Sequence, residues 1–234
     1  MSDFGIIIQA RTGSSRLPGK VLLPFIDNKT VIQYIWARAI SSGVRASIIL
    51  ATPYTDSRKF AGMSVSAPNV DENDVLSRYY ITARNCGFKY ICRITSDCPL
   101  VDFSQADKYL TLVENGYDYA SNSYPTRTAP SGLDVEVFSY DVLKEAYFNA
   151  ILSEEREHVT PFMHRHFRTF KSYLSLAPNI KLSIDTKSDY ERVKFLGQKL
   201  HNWSPDDSYN SNEVLDMYNK YVLEINAIGE RHDS

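Results

Sequence analysis

The chain opens on a short continuous apolar run, Phe4 to Gln9, that ends in a polar, glycine-containing loop. A run of this length without alternation predicts a strand buried on both faces. Thr30 then precedes Val31, Ile32, Ile35, Trp36, Ala39 and Ile40, which share one helical face and end at Gly43. That spacing predicts an N-capped amphipathic helix with a glycine stop. Ser47 to Ala51 predicts a second strand, and a short strand is expected at Met63 to Ser66. Asp74 starts a second helix through Val75, Leu76, Tyr79, Tyr80 and Ala83 that ends near Gly87. Tyr90 to Thr95 predicts a strand, Ser104 to Asn115 a helix closing on Gly116, and Asp118 to Ser121 a return to the sheet.

Strands alternating with amphipathic helices predict an α/β domain with a mainly parallel mixed sheet flanked by helices, its ligands gathering at the carboxyl ends of strands. The polar loops at 9–20, 51–57 and 95–102 all follow strands and are expected to share one rim. The second half is less regular. Leu133 to Phe138 predicts a strand, Ser139 caps a helix to about Ala150, and 153–167 reads as helical despite Pro161. Lys171 to Leu176 and Lys181 to Ile184 predict strands, followed by a helix from Lys187 to Leu200 and a last amphipathic helix over 211–226. Residues 1–200 are expected to form the main domain, and 201–234 a linker, helix and tail.

Composition narrows the class. The chain has 234 residues, 43% apolar and 23% charged, enough for one ordinary core. Lys plus Arg (26) nearly balances Asp plus Glu (28), so no broad basic field is available for nucleic acid. No run approaches the roughly 18 apolar residues of a membrane span. Asp3 also stands where a signal peptide carries a basic region. A cytoplasmic location is expected, with no nucleic-acid or membrane partner. Cys86, Cys92 and Cys98 show no C-x-x-C pair and are expected to be reduced thiols rather than zinc ligands.

The chemistry concentrates in Gln9-Ala-Arg-Thr-Gly-Ser-Ser-Arg-Leu-Pro-Gly-Lys20, directly after the first strand. Such a loop, with Ser14 among its small residues, can offer backbone N–H groups to an anion while Arg11, Arg16 and Lys20 neutralise it. It is not a Walker A loop: five residues separate Gly13 from Gly19, and Val21 follows Lys20. No G-x-G-x-x-G occurs either. Asp97 and Asp185 each follow a strand-like apolar run, and two carboxylates with substrate phosphates suit Mg²⁺.

The segment IIIQARTGSSRLPGKVL resembles the signature of the cytidylyltransferases that activate acidic sugars, in particular their spore-coat polysaccharide branch. ENDVLSRYY, RITSDCPLVD, SGLDVEVFS, EREHVTP and LSIDTKSDYERV continue the resemblance in order, so that it covers roughly 4–195. It implies a Rossmann-like nucleotidyltransferase fold and transfer of CMP from CTP to a small acidic sugar, with pyrophosphate leaving. Arg11, Arg16 and Lys20 would hold the triphosphate, and Asp97 and Asp185 the Mg²⁺. Ala10, Ala51 and Thr52, small residues at the ends of the first two strands, are candidates to receive the pyrimidine. Arg78 would lie near the base or phosphates, or else on a solvated helix surface.

On the acceptor side, Gly132, Asp134 and Glu136 form an alternating strand edge, and Glu157 and His158 lie on a predicted helix. Such carboxylates can hold hydroxyls, and a histidine can bind or deprotonate one. Arg127 could pair with an acceptor carboxylate or phosphate, or sit in solvent. The resemblance further implies a homodimer, with 121–170 as acceptor-side and dimerisation insertion. Two other readings stay open: an alcohol or sugar phosphate as acceptor, giving an NDP-linked product, and a nucleotide-binding homologue without catalysis.

Overall fold

A computed structural model describes residues 2–170 and 176–232. Its centre is β1 (Phe4–Gln9), whose residues Ile6, Ile7 and Ile8 are all fully buried. Full burial of a large aliphatic side chain contributes roughly 1.5–3 kcal/mol, so this strand fills the core on both of its faces. β1 lies between β2 (Ser47–Ala51) and β4 (Tyr90–Thr95), parallel to both. The edge strand β3 (Val65–Ser66) adds in parallel to β2. On the other side, β6 (Glu136–Ser139) runs antiparallel to β4 and β5 (Tyr119–Ser121) antiparallel to β6. The six-stranded order is β3-β2-β1-β4-β6-β5. This is the mainly parallel α/β architecture that the alternation predicts.

Period-two alternation divides the core. Ile6 and Ile8 face a layer holding α1 (Val31–Ser41), α3 (Ser104–Glu114) and α7 (Lys187–Trp203). Ile7 faces α2 (Val75–Cys86) and α4 (Tyr140–Asn149). Helix starts follow local chemistry. Thr30 and Gln33 form a reciprocal capping box on α1, and Asp74 accepts from Ser77 N at the start of α2. Gly87 ends α2 at φ 69°, a conformation that suits glycine.

Three predicted elements differ. The helix expected over 153–167 is two short ones, α5 (Ser153–His158) and α6 (Pro161–His166), because Pro161 lacks the N–H that a continuous helix would need there. The strand expected from Leu133 starts only at Glu136, and 181–184 makes a single bridge, Ser131 with Lys181, in place of a strand. Leu182 N donates to Ser131 O and Ile184 N to Asp97 O, so this segment crosses the ends of the strands instead of lying alongside one. The strand expected over 171–176 lies largely outside the described residues. The stretch after α7 is held to the core: Arg38 donates to the carbonyls of Pro99, Val101 and Tyr209, and its guanidinium lies 3.9 Å from the Tyr209 ring centroid. Beyond it, α8 (Ser211–His232) buries Val214 in the same core.

Candidate active site

The carboxyl ends of β1 and β4 open into a cleft of about 460 Å³. The loop after β1 supplies Ala10, Arg11, Ser14, Arg16 and Lys20, and the loop after β4 supplies Ser96, Asp97 and Cys98. Asp134, Glu157, His158 and Asp185 come from the second half of the chain. Parallel strands place these ends on one rim, so residues far apart in sequence meet.

Lys20 stands at the junction. Its Nζ donates to Asp97 Oδ2 at 2.9 Å, to the Ile184 carbonyl at 2.6 Å and to Asp185 Oδ1 at 3.4 Å. Arg16 reaches the same Asp185 oxygen at 2.9 Å, and Lys181 the other at 3.1 Å. Burial opposes the charge on Asp97, but the Lys20 ammonium beside it outweighs that and holds the carboxyl below its ordinary range. Because both carboxylates touch one ammonium, their oxygens reach a common point. Two hard oxygen donors converging beside a cationic loop fit a Mg²⁺ ion that completes its shell with phosphate and water. Among the described residues no group of three acidic, histidine or cysteine side chains gathers as a metal cage.

The loop is braced from behind. Asp56, buried, accepts from Thr12 N at 2.6 Å and Thr12 Oγ1 at 2.9 Å, while Lys59 donates to the same carboxylate at 2.7 Å. Nothing in the local sequence marks Asp56, since its partner lies 44 residues away.

Arg78 is no solvated helix residue. Only 2% of it is exposed, and its Nη1 donates to the Asp71 and Glu72 carbonyls at 3.1 and 2.7 Å. Its Nε is buried with no hydrogen-bond partner among the described residues. Burial, with a smaller push from the Arg11 charge, lowers its pKa. A buried cation facing a cleft, with no carboxylate in contact among the described residues, is suited to an anion. Arg11 itself touches Asn73 Oδ1 at 3.1 Å and Glu157 at 3.5 Å.

Five candidates lie off the cleft lining: Ala51, Thr52, Arg127, Gly132 and Glu136. Ala51 and Thr52 are fully enclosed; the Ala51 carbonyl accepts from Ala10 N at 3.0 Å, so Ala10 alone of the three small residues reaches the cleft. Gly132, at φ 104°, lets the backbone of 182–183 approach where a Cβ would collide with Leu182. Its part is to seat the segment that carries Asp185. Arg127 pairs with Asp134 through both terminal nitrogens.

Glu136 also departs from expectation. It is buried, and its carboxylate is taken by Arg93, Tyr119 and Thr160. It does not line the cleft. Burial opposes its charge, but Arg93 and its hydrogen bonds hold the pKa well below the ordinary value. Asp134 differs in sign: burial prevails over Arg127, and its pKa is raised. Arg93, which lines the cleft, went unread in the sequence. A charged residue two positions before Thr95 in an otherwise apolar strand was the available signal.

The sequence matches the family model described as Cytidylyltransferase over residues 5–223. The spore coat polysaccharide biosynthesis protein SpsF of Bacillus subtilis is 31% identical over 235 aligned positions, 94% of this chain and 95% of that protein. A 3-deoxy-manno-octulosonate cytidylyltransferase of Elusimicrobium minutum is 27% identical over 132 positions, 54% of this chain and 53% of that one. Among solved structures, a cytidylyltransferase of Leptospira borgpetersenii aligns with a TM-score of 0.82 at 26% identity, covering 95% of this chain and 96% of the other. No described helix is long and apolar enough to cross a membrane.

Proposed function

Because this chain belongs to the cytidylyltransferase family, we propose that it transfers CMP from CTP to an acidic 2-keto-3-deoxy sugar for surface polysaccharide or glycan synthesis, releasing pyrophosphate. The observation that carries this reading is the convergence of Lys20 and Arg16 with Asp97 and Asp185 at one end of a cleft whose other walls present Arg11, Arg78, Arg93 and His158. The spore-coat and 3-deoxy-manno-octulosonate relatives support a polysaccharide setting and an acidic sugar.

In the reaction the anomeric hydroxyl oxygen of the sugar forms a bond to the α-phosphorus of CTP, and the bond from that phosphorus to the bridging oxygen of the β-phosphate breaks. The hydroxyl proton is lost and pyrophosphate departs with the bonding electron pair. Asp97 and Asp185 would hold Mg²⁺, which when bound offsets phosphate charge and orients the displacement. Arg16 and Lys20 bind the triphosphate, exchanging their present carboxylate partners for phosphate oxygens. Arg11 and Arg78 add positive charge from the α2 side, and Ala10 and Ser14 let the nucleotide approach the backbone. Asp134, Glu157 and His158 face the acceptor, with His158 within reach of the cleft as binder or base for the attacking hydroxyl.

The test is pyrophosphate release with Mg²⁺ and CTP against a panel of 2-keto-3-deoxy acids and of sugar and alcohol phosphates, each product weighed by mass spectrometry. A CMP-linked sugar acid is expected. A CDP-linked product would replace the acceptor assignment, and CTP binding without turnover on any acceptor would overturn the catalytic reading.

A further inference from the structure

Between α5 and α6 the chain turns at Val159, with φ 72° and ψ −54°. Thr160 N donates to the His158 carbonyl across this residue at 2.8 Å. A hydrogen bond from i+2 to i closed over a positive φ is the rare, strained form of γ-turn. A β-branched residue is poorly suited to it. The other described non-glycine residues at positive φ are Asp27, Asn28, Ala177 and Asp207, none of them β-branched.

Such strain persists only where the surroundings over-determine it, and it clusters at functional sites. Here it is held from three directions. Val159 is fully buried in the core layer that contains Val142 and Met163. Upstream, Arg156 clamps α5 to the start of α2, with Nε and Nη2 on Asp74 at 3.0 and 2.7 Å and Nη1 on the Tyr147 carbonyl at 2.8 Å. Downstream, Thr160 Oγ1 donates to Glu136 Oε1 at 2.9 Å. Glu136 in turn holds Arg93, a cleft residue. The two residues immediately before the turn, Glu157 and His158, line the cleft.

We propose that Val159 is a positioning residue for the acceptor half of the reaction: its strained turn aims Glu157 and His158 at the incoming sugar, and Glu136, through Thr160 and Arg93, keeps that wall in register with the cleft floor. A relaxed backbone at 159 would redirect the chain as it leaves α5, and the side chains one and two residues back would follow. The inference rests on reading the cleft as a cytidylyl-transfer site.

Two substitutions separate strain from packing. Val159→Ala and Val159→Gly both remove the valine methyls, but only glycine also removes the penalty on a positive φ. In the full chain, the glycine variant is expected to melt at or above the alanine variant. Its KM for the sugar should lie about tenfold below that of the alanine variant, because glycine keeps the positive φ without penalty while alanine, its packing gone, relaxes out of it and misplaces Glu157 and His158, with KM for CTP unchanged. Thr160→Val, which deletes the bond to Glu136 at nearly constant shape, is expected to raise sugar KM without moving CTP KM.

Alanine melting above glycine would overturn the strain. Equal sugar KM in the alanine and glycine variants of an active enzyme would overturn the positioning role. Absence of pyrophosphate release by the unaltered protein with every acceptor would instead bring down the underlying reading, and the positioning role with it.

Discussion

The two ends of the cleft hold their charges differently. At the end proposed to hold phosphate, Arg16 has 65% of its side chain exposed, and Lys20 divides its donors between Asp97, Asp185 and the Ile184 carbonyl. Asp185 meets three cations, Arg16, Lys20 and Lys181. Exposed pairs such as that of Arg16 are worth about 0–1 kcal/mol, so the group can give up its partner to a ligand at little cost. Behind the end proposed to face the acceptor, Glu136 and Arg93 retain only 5% and 13% of their side-chain exposure, and Tyr119 and Thr160 complete the carboxylate's shell. Charges there are fixed in place before any ligand arrives. The difference teaches that a charge with several alternative partners, as at Asp185, can exchange one of them for a ligand, whereas the Glu136 carboxylate, enclosed and met by three donors, is committed to holding shape.

The sharpest way to break the contrast is at Glu136. Glu136→Gln leaves the Arg93 cation without its counter-charge, and removing one member of a buried pair typically costs about 3–5 kcal/mol; denaturant unfolding is expected to show a loss of that order. The pH dependence has a definite sign. Arg93 and the hydrogen bonds outweigh burial and depress the folded pKa of Glu136 below its ordinary 4.5. Its contribution is therefore present above that ordinary value and lost as pH falls through the lower folded one. The acid limb of the stability curve should accordingly be flatter in the variant. Asp134 acts in the opposite sense, since its raised folded pKa lets it take up a proton earlier than in the unfolded chain.

A large effect of another kind is expected at the phosphate end. Asp97→Asn and Asp185→Asn should each lower turnover about 10²–10³-fold, the range found when a group stabilising transition-state charge is removed. Melting temperature should shift far less than in Glu136→Gln. Wild-type turnover in either purified variant would remove that aspartate from the proposed metal pair. The smallest effect is expected for Arg127→Gln, where the pair with Asp134 is partly exposed on both sides. Stability should change by less than about 1 kcal/mol. A loss comparable with that at Glu136 would show that the acceptor end is buried throughout and would erase the gradation along the cleft.

How much could be read before folding differs between the same two ends. The residues of the phosphate end lie in compact local patterns: a cationic loop after an apolar strand, and one aspartate just after another strand. Asp185 follows an apolar run that is not a strand, yet its contact with Lys20 arises all the same, because the crossing segment is seated over Gly132. At the acceptor end, alternation made Gly132, Asp134 and Glu136 look like three ligands on one edge. The strand starts at Glu136 and turns that carboxylate into the interior toward Arg93, which sits opposite it in the register of β4 and β6.

Hydrophobic periodicity, capping residues and the loop motif by themselves determined the α/β class, the order of nearly all elements and the rim on which the loops gather, because these depend on contacts within a few residues and on the parallel strand rule. Only the tertiary structure decided which polar side chains are enclosed: that Arg78 is buried, that Asp56 braces the cationic loop, that Glu136 serves Arg93, and that Val159 takes up a strained turn. Each of these depends on what stands across from the residue in space, up to dozens of positions away in the chain. A one-residue change of strand register exchanges an exposed side chain for a buried one.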